Sequence, residues 1–127
     1  MKITHLIKRV RFIVANPFKR AELIRHSVFH MGENVMICTK TLGDLFLLSV
    51  GDNVIIAANA RFIMHDASAW IVNRYKALGN DCMVPKYGAI VLKDNCFVGA
   101  YSTLLPGTSL GKKQHSCCRK CFDEKCA

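Results

Sequence analysis

A chain of 127 residues that is 51% hydrophobic and 21% charged is long enough for one domain with a modest core, and its composition excludes a disordered polypeptide. Its 18 Lys and Arg against 9 Asp and Glu leave a formal net charge of +9, which suits nucleic acid, an anionic membrane surface or an anionic cofactor. Nucleic acid is the weakest of these, because no basic stripe interleaved with aromatics stands out, and no run of residues is long enough to span a bilayer.

The chain begins with helical spacing. Ile3, Leu6, Ile7, Val10 and Val14 fall on one face, and Lys2, Lys8, Arg9 and Arg11 lie mostly off it. Those basic residues interrupt any apolar run, and no small-residue cleavage site follows, so the segment does not read as a secretory signal. Asn16-Pro17 is expected to end this helix, and a second short helix is expected over about Phe18–Ser27. Residues 1–29 therefore predict a helical cap over the end of the main fold. The other reading is a basic amphipathic anchor making peripheral contact with a membrane surface.

From residue 30 the rhythm changes to a period of six. Val50, Ile56 and Phe62 form one series, and Leu92, Val98, Leu104 and Leu110 another; Met31 and Ile37 are an earlier pair. A small or turn-forming residue follows many of them, as at Gly32, Gly51, Ala57, Gly99 and Gly111. Period six matches neither an α-helix nor an amphipathic strand. It predicts a hexapeptide β-helix, in which each unit is a short strand along one flat side, with its aliphatic residue inward and turn residues at the corner. One coil cannot bury its own face, so the coils must stack.

The units "VGDNVIIAANARFIMHD" and "LKDNCFVGAYSTLLPGTSLG" resemble the hexapeptide-repeat acyltransferases, and among them the small O-acetyltransferases of sugars and polysaccharides. The resemblance covers about residues 18–111. It implies a mainly β fold, a left-handed parallel β-helix shaped as a triangular prism, spanning residues 30–111 with a loop excursion at about 67–86. It also implies acetyl-CoA as acyl donor, a sugar or polysaccharide hydroxyl as acceptor, and a homotrimer with its sites in clefts between adjacent subunits. Serine or amino-sugar transfer is the alternative within the family.

The best catalytic candidate is His65 in "FIMHDASAW", where the period breaks. A hydroxyl is a poor nucleophile at neutral pH and needs a base that titrates near 7, which suits histidine. In the resembling family a histidine at this place takes the acceptor's proton, the oxygen attacks the thioester directly, and backbone N–H groups can stabilise the oxyanion. Asp66 is expected to orient or polarise the acceptor site, or else simply to turn a corner. Trp70 offers an aromatic wall for a sugar ring or plain loop packing. Asn59 and Asn73 are candidate acceptor contacts that equally suit turns. "VGAYSTLLPG" resembles the pantetheine-lining coil, which assigns Gly99, Ala100, Ser102, Gly111 and Lys112 to the cofactor; small residues there also suit corner geometry.

Seven cysteines are present. Cys38, Cys82 and Cys96 are scattered and read as buried thiols of a cytoplasmic, reducing compartment. Cys117, Cys118, Cys121 and Cys126 crowd the tail beside His115, but they lack the two spaced ligand pairs of a zinc site. No metal is therefore assigned. A one-base slip explains the tail better. Removing one A from the codon run of Lys112 and Lys113, with permitted synonyms downstream, yields KNSIVAAGSVLMKNV. That string resembles the family's next coils and keeps the aliphatic phase at positions 116 and 122. Residues 112–127 are thus expected to be a frameshift product that leaves the β-helix. The rival reading of function is accordingly a remnant that retains the fold without the activity.

Overall fold

The computed structural model describes residues 2–74, 84–111 and 115–116. Two helices come first, α1 (Lys2–Val14) and α2 (Pro17–Ile24). Asn16 caps α2, its side chain accepting the Lys19 N–H at 2.8 Å, and Pro17 fits the first turn, where a helix needs no N–H. Short strands follow: β1 (His30–Met31), β2 (Met36–Ile37), β3 (Leu48–Val50), β4 (Ile55–Ile56) and β5 (Arg61–Phe62). An excursion holds β6 (His65–Asp66), α3 (Ser68–Arg74) and β7 (Lys86–Tyr87). The winding resumes with β8 (Ile90–Leu92), β9 (Phe97–Val98), β10 (Thr103–Leu104), β11 (Ser109–Leu110) and β12 (His115–Ser116).

The strands wind through three faces in turn. One carries β1-β3-β8-β11, the next β12-β9-β4-β2 and the third β10-β5. Every pairing between coils is parallel and in phase, for example Val50 opposite Leu92, Ile56 opposite Val98 and Phe62 opposite Leu104. The period-six aliphatics are these partners, and all of them are buried: Met31, Ile37, Val50, Ile56, Phe62, Leu92, Val98, Leu104 and Leu110. A second inward row lies two residues earlier in each unit, at Val35, Leu48, Val54, Ala60, Ile90, Cys96 and Ser102. Each strand alternates inward and outward, so two positions per unit suffice to fill the coil.

The corners explain the polar residues between strands. Asn34, Asn53 and Asn95 take φ of 55°, 55° and 59°, a left-handed conformation that asparagine tolerates best among residues with a Cβ. They stack: the Asn34 amide donates to Asn53 at 2.8 Å and the Asn53 amide to Asn95 at 3.2 Å. Asp52 accepts the Glu33 N–H and Asp94 the Asp52 N–H, at 2.8 and 3.0 Å. Each turn thereby satisfies backbone donors of the coil beside it.

Three details depart from the sequence expectations. The cap is mainly α2: Arg20, Ala21 and Ile24 are buried, whereas the apolar stripe of α1 faces solvent and that helix packs on the core through Phe12. The excursion is not all loop, since it contains the helix α3 and is closed at its base by the antiparallel pair β6–β7. The coil also does not stop at residue 111. β12 pairs with β9, placing Ser116 opposite Val98, the very position to which the shifted reading assigns an aliphatic residue. The remainder of 112–127 lies outside the described residues. Among the described residues no helix is long and apolar enough to cross a membrane.

Candidate active site

His65 lies where the chain leaves the second coil. Ile63 still follows the winding, its N–H donating to Leu104 O at 2.9 Å, and β6 then departs outward. β7 returns beside it with His65 opposite Tyr87 and Asp66 opposite Lys86. The Gly88 N–H closes the excursion on Met64 O at 2.8 Å. His65 is therefore held on an exposed two-stranded ribbon, with the Tyr87 ring 5.9 Å from its own at a 34° tilt.

The partner of His65 comes from the coil before. Thr39 pins that segment, its buried hydroxyl donating to Ala60 O at 3.0 Å. Gly43 then passes against the backbone of Phe62 with φ +67°. A Cβ there would sit 2.6 Å from Phe62 O, so only glycine permits this approach. The next residue, Asp44, bonds His65 Nδ1 through its carboxylate. A carboxylate accepting the Nδ1 proton fixes the ring and its tautomer and leaves the Nε2 lone pair as the basic site. Gly43→Ala is expected to cost about 1–3 kcal/mol through clash and backbone strain and to displace Asp44. A denaturant midpoint equal to that of the parent chain would refute this.

Asp66 is engaged elsewhere. Its two oxygens accept the Ser68 N–H and the Ser68 hydroxyl, both at 2.8 Å. These bonds tie the start of α3 and hold the Asp66 carboxyl below its ordinary value; nearby Lys86 and His65 add to the effect. Both Asp66 oxygens are thus engaged within the turn that starts α3, and the carboxylate that holds the His65 ring is Asp44. A depressed folded pKa contributes stability that is present above the unfolded value of 3.8 and is lost as pH falls through the folded value. Trp70, the sole tryptophan, lies on α3 and reports the event. Its fluorescence is expected to titrate below pH 3.8 in the parent chain and to lose that step in Asp66→Ala; an identical titration in both would refute the assignment.

The other candidates fall in three places. Trp70 and Asn73 share α3; the Trp70 ring is exposed and carries the Arg74 guanidinium 5.1 Å above its centre, while Asn73 is half-buried. Asn59 is a corner residue with φ 59°, and the Tyr101 N–H donates to neighbouring Ala58 O at 3.2 Å. Gly99, Ala100 and Ser102 lie on the coil beside the strand that leads to His65, since Thr103 pairs with Arg61. Ser102 is only 1% exposed and belongs to the inward row, so its side chain offers nothing to an outside cofactor. Gly111 accepts the Cys96 thiol proton through its carbonyl at 3.0 Å. Lys112 lies outside the described residues.

Sequence reasoning missed Asp44, Tyr87 and Tyr101. Tyr101 holds φ +59° with its ring exposed beside Gly99 and Ala100, a conformation uncommon for an aromatic residue and worth noting near a candidate site. Asp44 was hidden because residues 38–47 break the period of six. The Gly-Asp pair is the signal that could have found it.

No protein-family model matches the sequence, and no curated protein matches it. Solved structures do. A hexapeptide-repeat containing acetyltransferase of Vibrio cholerae, complexed with acetyl coenzyme A, superposes with a TM-score of 0.58 at 14% identity, over 85% of this chain and 68% of that one. Another structure of that Vibrio cholerae protein gives 0.56 at 14% identity, over 85% and 70%. A galactoside acetyltransferase in complex with coenzyme A gives 0.56 at 14% identity, over 89% of this chain and 66% of that one. Across that sequence distance it is the architecture that is shared, and this chain has the fold of the hexapeptide-repeat acetyltransferases.

Proposed function

We propose that the chain is an acetyl-CoA-dependent O-acetyltransferase acting on a sugar or polysaccharide hydroxyl, with His65 as general base. The observation that carries this reading is the Asp44–His65 pair on an exposed ribbon at the edge of a repeat fold whose solved relatives include complexes with acetyl coenzyme A and coenzyme A. The galactoside acetyltransferase among them supports a sugar acceptor.

The residues fit an acyl thioester. Glycine at 99 and a methyl group at 100 let a slender pantetheine arm approach the main chain, and the net charge of +9 complements a phosphorylated carrier. Gly99, Ala100, Gly111 and Lys112 remain the proposed lining. Trp70, Asn73 and Asn59 are the proposed acceptor contacts, now joined by Tyr87. His65 Nε2 takes the proton as the acceptor oxygen bonds to the thioester carbonyl carbon; the C–S bond breaks, and the imidazolium returns the proton to the departing thiolate. Asp44 holds the ring during both transfers and balances the imidazolium charge. The coils are proposed to wind left-handed, on the resemblance of the hexapeptide units. A homotrimer completes the cleft, covering rings at Trp70, Tyr87 and Tyr101 that a single copy leaves exposed.

The test is acceptor-dependent release of CoA thiol from acetyl-CoA, over a panel of galactosides, glucosides and oligosaccharides. Release with one class, and an ester on the product, supports the reading. No release with any sugar, from a chain whose β-structure melts cooperatively, favours the rival reading of a remnant that keeps the fold alone. Release with serine or an amino sugar moves the chain to the alternative acceptor class.

A further inference from the structure

The N-terminal helix is mounted with its apolar side facing away from the protein. Ile3, Leu6, Ile7, Val10, Ile13 and Val14 form one stripe along α1, and their exposures run from 38% to 79%. Phe12, on the opposite side, makes the contact with the core. The end of the helix is locked in that attitude. Buried Arg20 donates to the carbonyls of Phe12 and Ile13 at 3.0 and 2.9 Å, and to those of Ile37 and Cys38 at 3.3 and 2.8 Å. The outward stripe is therefore built in and not a frayed end.

Its borders are basic. Arg11 follows Ile7 by one helical turn and Arg9 precedes Ile13 by one, so an arginine lines each edge; Lys8 adds a third exposed cation, and α1 contains no acidic residue. Phe18, at the start of α2, is a further exposed apolar residue. We infer that α1 lies in the interface of an anionic lipid bilayer, with its apolar stripe among the acyl chains and Arg9 and Arg11 at the level of the headgroup phosphates.

Charge selects this occupant over the others. A second copy meeting stripe to stripe would bring arginine rows of like sign together. The C-terminal part of this chain starts from the far end of the stack, since β12 and β2 are the opposite edges of one face and α2 packs at β2. A helix of 13 residues is too short to span a bilayer, but an apolar face with cationic flanks suits the interface. The inference is independent of the acetyltransferase reading.

The experiment is sedimentation of the full chain with vesicles of phosphatidylcholine and phosphatidylglycerol, against phosphatidylcholine alone. Binding is expected to be at least about tenfold stronger on the anionic vesicles and to weaken as salt rises. Leu6→Asp with Val10→Asp is expected to abolish binding, and Arg9→Glu with Arg11→Glu to remove the preference for anionic lipid. Both pairs are exposed, so an unchanged thermal melt confirms that each variant is folded. No binding to either vesicle overturns the inference. So does binding untouched by the two pairs, or a defined oligomer of the parent chain that falls apart with Leu6→Asp and Val10→Asp, which would make a second copy the occupant.

Discussion

His65→Ala is expected to lower the turnover number for acetyl transfer by about 10²–10⁴-fold, the range supplied by a positioned general base. The loss should fall on kcat with little change in KM for acetyl-CoA, because proton abstraction belongs to the transition state and not to cofactor binding. His65 is exposed and outside the buried core, so the variant should melt as the parent does. The Asp44 variants sharpen the assignment. Asp44→Ala leaves the imidazole without its Nδ1 acceptor and is expected to cost roughly 10–100-fold, the usual toll for the partner that orients a functional histidine. The double variant should be no worse than His65→Ala alone, since Asp44 acts only through the ring. Full activity in His65→Ala would sink the base assignment. An additive double variant would show that Asp44 contributes something other than orientation.

The fold was legible because its core is one-dimensional. A residue at the head of each hexad has one environment, so Val50, Ile56, Phe62, Leu92, Val98, Leu104 and Leu110 could be assigned inward by counting alone, and all are buried. The second inward row was not seen, because it mixes aliphatics such as Leu48, Val54 and Ile90 with the small or polar Ala60, Cys96 and Ser102, which breaks its regularity. His65 stood out because the period fails beside it. Its carboxylate did not, because the nearest acidic residue in sequence, Asp66, sits next to it and Asp44 lies a coil away. Adjacency in the chain is a poor guide in a solenoid, where true neighbours lie one winding apart. The attitude of α1 was illegible for a related reason. An amphipathic pattern says that one face is apolar, and the default is to bury it. Only the position of Phe12 and the reach of Arg20 from another helix reveal that the apolar face is the outer one.

Arg20→Ala is expected to destabilise the chain by about 2–4 kcal/mol, the scale of losing several buried hydrogen bonds at once. Arg20 is 8% exposed, and its guanidinium reaches four backbone carbonyls on two segments while lying 5.9 Å from the Phe12 ring centre. Two of those carbonyls, of Phe12 and Ile13, close the end of α1, where a helix leaves its last carbonyls without internal partners. The other two, of Ile37 and Cys38, belong to the first coil, whose outer edge meets no further strand among the described residues. One side chain thus terminates a helix, covers a sheet edge and fixes the angle between them. No buried side-chain nitrogen or oxygen among the described residues lacks a partner, so this network is complete as it stands and deletion can only open it. The drop in Tm should be on the order of 10 °C for a domain of this size. Arg20→Lys should recover only part of it, because an ammonium is a single point of donors and cannot fork across two segments. Hydrogen exchange separates this role from mere packing: α1 amides should lose protection in Arg20→Ala under conditions where those of β8 and β9, deep in the stack, keep theirs. Uniform loss across the chain would mean that Arg20 supports the fold as a whole and has no special hold on α1.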